Sequence, residues 1–250
     1  MHELTRSDCI IPDWPAPAHV KALITTRAGG VSNGPYASLN LGLATADDDA
    51  AVRTNRARLQ RLVPHSPKWL KQVHGARVVL ADAQTERAEA DASVAREVGT
   101  VCAILIADCL PVLFTNRTGT IVAAAHAGWR GLAAGVLANT IDELLRSGIA
   151  PNDLLAYVGP GIGPTAFEVG DDVYETFVAL DPDAANAFQR HAPGKWLADL
   201  FALARRALTR CGVTHIHGGG MCTYSDAERF YSYRRDKVTG RMAALIWREQ

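Results

Sequence analysis

The feature that most constrains this chain is a set of short apolar runs too continuous to lie half-exposed. Residues 100–107 (TVCAILIA), 120–125 (TIVAAA), 154–158 (LLAYV) and 243–247 (AALIW) contain almost no polar side chain. Their length suits strands, and a strand that is apolar at consecutive positions buries both faces. A sheet built from such strands must be covered twice. Residues 47–62, 170–180 and 196–211 have helical spacing of apolar positions, and the stretch after His126 reads as a helix running to about Arg146. Several strands follow one another with no helix between them, which argues against a plain doubly wound sheet. The expectation is an α/β (α+β) chain with mixed sheets and helices outside.

Composition narrows the function classes. With 250 residues, 48% of them hydrophobic, a compact chain buries roughly three quarters of the surface its unfolded form exposes. No repeat or low-complexity linker interrupts it, so a single domain over residues 1–250 is expected. Lys+Arg 26 against Asp+Glu 26 leaves a formal net charge of +0, which supplies no excess of cations for a nucleic-acid backbone. No apolar run approaches the ~20 residues of a membrane span. The opening MHELTRSDCIIPDWPAP lacks the pattern of a secretory signal, so a cytoplasmic location is expected. The 5 cysteines are scattered and form no C-x-x-C pair, which points to reduced thiols.

Three segments each place a soft ligand at the end of an apolar strand beside a small residue: KQVHG with His74, ADCLP with Cys109, and AHAGWRG with His126. Two imidazoles and a thiolate make a zinc set of three protein ligands, leaving a fourth position open for water or substrate. Singly, each of the three has a core group as its alternative reading, and Cys102 is read as a buried small hydrophobe. Blue multicopper oxidases draw on many H-x-H pairs, and only His215-x-His217 has that form here. GPGIG lacks the Lys-Ser/Thr of a phosphate loop and reads as a tight turn.

Taken in order, KQVHG, ADCLPVLF, AAHAGWRG, VGPGIGP-x-x-FEVG and FYSYRRD-x-x-TGRMAALIW resemble the laccase-domain, or polyphenol oxidase, family. Its members look like zinc-dependent purine nucleoside phosphorylases with accompanying adenosine deaminase activity. The resemblance starts at TTRAGGVS and SLNLG and covers nearly the whole chain. It implies a layered α-β-β-α sandwich similar to cysteine-hydrolase-like toxins. It also implies metal ligation by His74, Cys109 and His126, with Zn2+ as the ion and copper as a substitute. The partners it implies are a purine nucleoside and, as co-substrate, phosphate.

Within that frame Asp108, beside a ligand, is the candidate proton relay in deamination, or equally a residue orienting His74 or His126. Arg27, Arg130 and Arg235 are the candidates for phosphate, because guanidinium offers a planar fork. For Arg130 the start of the following helix adds free N–H groups. Asn40 and Gln72 are candidates for a base edge or sugar hydroxyl, against turn capping for Asn40 and an ordinary strand role for Gln72. Glu168 is read as closing the pocket or capping a helix, and Tyr231, Tyr233 and Trp129 as stacking partners or core. Two other enzyme readings stay open: a metal-free Cys109-dependent amide hydrolase, as in peptidoglycan editing, and a copper-dependent polyphenol oxidase. A non-catalytic zinc module is the third, and the sequence leaves monomer or homodimer undecided.

Overall fold

The structure, a computed structural model, describes residues 3–84 and 87–250. Met1 and His2, which open the N-terminal stretch read above, lie outside the described residues. In chain order the elements are β1 (Cys9–Ile10), β2 (Val20–Thr25), α1 (Asp49–Gln60), β3 (Val78–Leu80), β4 (Ala92–Ala95), β5 (Cys102–Ile106), β6 (Leu110–Asn116), β7 (Val122–Ala127), α2 (Trp129–Ala133) and α3 (Val136–Leu145). There follow β8 (Leu154–Val158), β9 (Glu168–Gly170), α4 (Asp171–Leu180), β10 (Phe188–Ala192), β11 (Lys195–Ala198), α5 (Leu200–Arg210), β12 (His215–Gly218), α6 (Tyr233–Asp236) and β13 (Met242–Arg248).

Two sheets carry the architecture. One has the order β1-β2-β13-β5 and is antiparallel throughout. The other has the order β12-β8-β6-β7-β4-β3 and is parallel only at its two outer pairs. A small third sheet, β10-β11-β9, is inserted in the chain between β8 and β12 and pairs with neither of the other two.

Alternation along the apolar runs explains the layering, since successive side chains leave a strand on opposite faces. In β13, Met242, Ala244 and Ile246 enter a core shared with Leu113, Val122, Ala124 and Tyr157 of the six-stranded sheet. The intervening Ala243, Leu245 and Trp247 enter a second core with Leu59 of α1 and Leu39 and Leu41. On the far side, Val112, Phe114, Ala123, Ala125, Ala156 and Val158 pack against Leu137 and Ile141 of α3 and Leu203 of α5. The result is helix, sheet, sheet, helix: the layered α-β-β-α sandwich with mixed sheets.

Local expectations fail where a long-range contact or a turn intervenes. The helix after His126 is broken at Gly135, whose φ of 87° is left-handed, so α2 spans only five residues. The helix expected over 196–211 begins late. Trp196 stacks on Tyr174 at 3.9 Å and donates to Asp171 at 2.7 Å, which holds it in β11, and Asp199 caps α5 by accepting from Ala202 N at 2.9 Å. The segment leading into His74 forms no strand, only isolated bridges at Lys68 and Lys71. Among the described residues no helix is long and apolar enough to cross a membrane.

Candidate active site

Cys109 sits in the tight connection from β5 to β6, made possible by Asp108 at a left-handed φ of 93°. His126 projects from β7, a strand buried at every position. His74 lies in a loop at φ 61°, a conformation that costs a non-glycine residue of order 1 kcal/mol or more and persists only where the surroundings enforce it. Asp91 enforces it: its carboxylate accepts from the backbone N–H of Val73 (3.1 Å), His74 (2.9 Å) and Gly75 (2.7 Å). The same carboxylate accepts from His126 Nδ1 at 2.9 Å.

The ligand atoms of His74, Cys109 and His126 all lie within 4.8 Å of one another. The two imidazole rings are 4.9 Å apart, edge to face. Gly128 leaves room for them, because a Cβ at that position would come within 2.7 Å of Cys109 Sγ and 3.4 Å of His74 Cδ2. The donor set fits zinc, and copper shares its preference for imidazole and thiolate. Asp91 occupies His126 Nδ1 and leaves Nε2 for an ion, the arrangement common around metal-bound histidines.

Charge inside the cluster is arranged to keep a thiolate. Burial raises the Cys109 thiol, but the adjacent His126 and His74 more than offset it, bringing Cys109 down to about 6. Burial lowers His126, yet the thiolate and the Asp91 bond bring it up to about 9. Burial also raises Asp91, and the bonds from His126, Gly75 and Val73 hold it below the ordinary carboxylate value. By contrast, burial, against a hydrogen bond with Ser93, pushes Cys102 up to about 12, consistent with a packed, inert thiol.

The cluster forms the floor of a cavity of about 630 Å³. Trp129, Phe167, Tyr233, Leu70 and Ile162 supply apolar wall, and Arg87, Arg130, Arg234 and Arg241 supply charge. Among the described residues none of these four arginines meets a carboxylate. Arg87 Nε donates to Leu70 O, Arg234 Nη1 to Glu168 O, and Arg241 Nη1 to Thr239 O and Gly240 O. Arg130 is exposed and stacks over Trp129 at 4.5 Å. Among the described residues, a neutral chain therefore gathers positive charge without carboxylate partners at one site.

Several sequence candidates are placed elsewhere or already engaged. Arg27 does not line the cavity: its Nε and Nη1 donate to Ala37 O and Ala227 O, each at 2.9 Å, and it stacks over Tyr231. Arg235 is spent on Thr223 O, Tyr224 O, Phe230 O and the Asp236 carboxylate. Asn40 is fully buried and caps a turn, accepting from Gly42 N and Arg241 N and donating to Thr45 and Asp47. Gln72 lines the cavity, but its amide clamps the backbone of Leu105 in both directions at 2.8 Å. Arg130 is thus the one arginine of the three expected that reaches the cavity, and with α2 only five residues long no long helix dipole stands behind it.

Asp108 lines the cavity beside Cys109. Its Oδ1 accepts from Thr223 Oγ1 and its Oδ2 from Arg234 N, both at 2.7 Å. The contact that orients a histidine belongs to Asp91, so that part of the expectation for Asp108 is corrected. Glu168 points to His191 at 3.7 Å, away from the cavity lining. Tyr231 is core, whereas Trp129 and Tyr233 line the cavity. The sequence reading missed Asp91, Arg87, Arg234 and Arg241. The signal for Asp91 was a lone acid between Ala90 and Ala92 at the start of a buried strand, where an ionised group needs partners.

A family model described as multi-copper polyphenol oxidoreductase laccase matches residues 21–249. A purine nucleoside phosphorylase of Pseudomonas aeruginosa is 54% identical over 95% of this chain and 97% of its own. The purine nucleoside phosphorylase YfiH of Escherichia coli is 52% identical over 96% and 99%. Among solved structures, a Neisseria meningitidis protein is 51% identical, with a TM-score of 0.93 over 97% of this chain and 100% of that one. YlmD of Geobacillus stearothermophilus is 35% identical, with a TM-score of 0.87 over 93% of each chain.

Proposed function

This chain belongs to the multi-copper polyphenol oxidoreductase laccase family, and from that premise we propose a zinc-dependent enzyme of one domain that cleaves purine nucleosides with phosphate and also deaminates adenosine. The observation that carries this reading is the convergence of His74, Cys109 and His126 on a cavity whose arginines meet no carboxylate among the described residues. Relatives named purine nucleoside phosphorylase at 52% and 54% identity support it.

His74, Cys109 and His126 would hold the ion, which when bound supplies Lewis acidity and activates water near neutral pH. The rest falls to the chain. Arg130, Arg234 and Arg241 face the cavity as donors to phosphate, neutralising it while it attacks the anomeric carbon and the C–N bond to the purine breaks. Trp129, Phe167 and Tyr233 offer flat apolar surface to the base. In deamination, water replaces the C6 amine and ammonia leaves, giving inosine. One His₂Cys cluster is too small for the several coppers of phenol oxidation coupled to oxygen, so oxidation is a side activity of copper-loaded protein at most. A thiolate ligand calls for a reducing, cytoplasmic setting.

Product analysis of adenosine, inosine, guanosine and methylthioadenosine, with and without phosphate, tests the proposal. Hypoxanthine should appear from inosine only with phosphate, and Cys109→Ala should abolish it. Turnover unchanged in Cys109→Ala overturns the reading.

A second reading has its own observation: Asp91, His126 and Cys109 are linked in the order of an acid, a base and a nucleophile. Such a relay would serve a metal-free amide hydrolase. Amide cleavage by the metal-free protein, blocked when Cys109 is alkylated, would favour it, and inert metal-free protein would exclude it.

A further inference from the structure

The metal-dependent chemistry proposed above routes no step through Asp91, the fully buried carboxylate that bonds to both His74 and His126. We propose that Asp91 is the positioning residue of the metal centre, one carboxylate that sets both the backbone conformation of His74 and the ring orientation of His126. This rests on the reading that His74, Cys109 and His126 hold a metal ion.

The argument begins with donors. Three consecutive N–H groups, from Val73, His74 and Gly75, converge on the two oxygens of Asp91 at 2.7–3.1 Å. Such convergence needs the chain to curl, and His74 does so at φ 61°. Without an acceptor at the centre, three converging donors would lose their shared partner and nothing would hold a histidine in the left-handed region. A fourth donor, His126 Nδ1, reaches Asp91 Oδ1 at 2.9 Å in a contact where the side chains are 4% and 0% exposed. That bond fixes the proton on Nδ1 and presents the Nε2 lone pair outward.

The backbone of Asp91 tightens the arrangement. Its carbonyl accepts from His126 N at 2.7 Å, one step before the register in which Ala92 faces Ala125 across β4 and β7. His126 is therefore tied to Asp91 by main chain and side chain together, and His74 by the same carboxylate. One residue couples two ligands that are 52 positions apart in the sequence.

Only an acceptor on both arms can serve four donors. An amide in place of the carboxylate turns one arm into an NH₂ facing N–H groups. The test is zinc affinity of Asp91→Asn by competition with a chromophoric chelator, together with the absorption spectrum of the cobalt-substituted protein. Affinity should fall by roughly 10- to 100-fold, and the cobalt bands should shift because the ligand geometry changes. Wild-type affinity with an unchanged cobalt spectrum would overturn the proposal.

Should Asp91→Asn not fold, long-range ¹H–¹⁵N correlation on zinc-loaded wild-type protein decides. His126 should show a protonated Nδ1 and a coordinating Nε2, and the reverse pattern overturns the assignment. Wild-type protein that binds no zinc would overturn both this inference and the metal reading beneath it. Zinc binding that behaves as described without nucleoside turnover would remove the proposed activity and leave Asp91 in its role.

Discussion

Thr223 donates its hydroxyl to Asp108 at 2.7 Å, across 115 residues of chain, in a buried contact beside the metal-ligand candidate Cys109. The other Asp108 oxygen holds the main chain of Arg234. Both arms of this carboxylate tie the C-terminal segment, with Tyr233 and Arg234, over the cavity.

Asp108→Asn is expected to act as a loosened brace. One bond is lost, at a cost of roughly 1–3 kcal/mol for a buried donor left unpaired, so Tm should fall and KM should rise while kcat changes less than about tenfold. A proton relay would behave differently, losing about 10²- to 10⁴-fold in kcat with KM and Tm nearly unchanged. Steady-state kinetics of adenosine deamination with a melting curve separates the two.

Arginine substitutions should divide by partner. Arg234→Gln and Arg130→Gln are expected to raise KM for phosphate by about tenfold to a hundredfold, the worth of one or two charge-assisted hydrogen bonds, with little change for the nucleoside. Arg235→Gln and Arg27→Gln should instead lower Tm, because those guanidiniums hold backbone carbonyls. A phosphate effect confined to Arg27 or Arg235 would reverse this assignment.

Metal affinity should depend on pH with a definite sign. In metal-free protein Cys109 is brought down to about 6 and His126 up to about 9, so between these values the pair is thiolate and imidazolium. The stability from Cys109 is present above its ordinary 9.0 and is lost as pH falls through about 6. The stability from His126 is present below its ordinary 6.5 and is lost as pH rises through about 9. An ion needs the neutral imidazole, so binding releases a proton from His126, and zinc affinity should rise about tenfold per pH unit from 6.5 to 8.5. Chelator competition across that range checks it, and a flat profile contradicts it.

Gly128→Ala removes no ligand, yet its methyl group would press on Cys109 Sγ at 2.7 Å. Weaker zinc binding with all three ligand residues intact is expected, measured as zinc content after dialysis. Cys102→Ala serves as the control, since that thiol lies in the core between the sheets and should leave zinc content unchanged.

The apolar runs were legible as strands because burial on both faces is written in consecutive residues. Leu154–Val158 has the bounds expected, and the alternating faces of Met242–Arg248 divide between two cores. The three ligand candidates were legible too, as a histidine or cysteine beside a small residue, although only Cys109 and His126 sit at strand ends and His74 is placed by a loop. Only the tertiary structure decided which charged groups are engaged. Arg234 and Arg235 are neighbours in one motif, and the short helix Tyr233–Asp236 turns one toward the cavity and the other into a web of carbonyls. Asp91 is one of two acids alternating with alanines until folding brings the loop at His74 and the strand of His126 to it. Periodicity reports how a residue sits relative to its chain neighbours. Whether a charge is paired, and by what, depends on partners tens to hundreds of residues away, and that information exists only once the sheets have stacked.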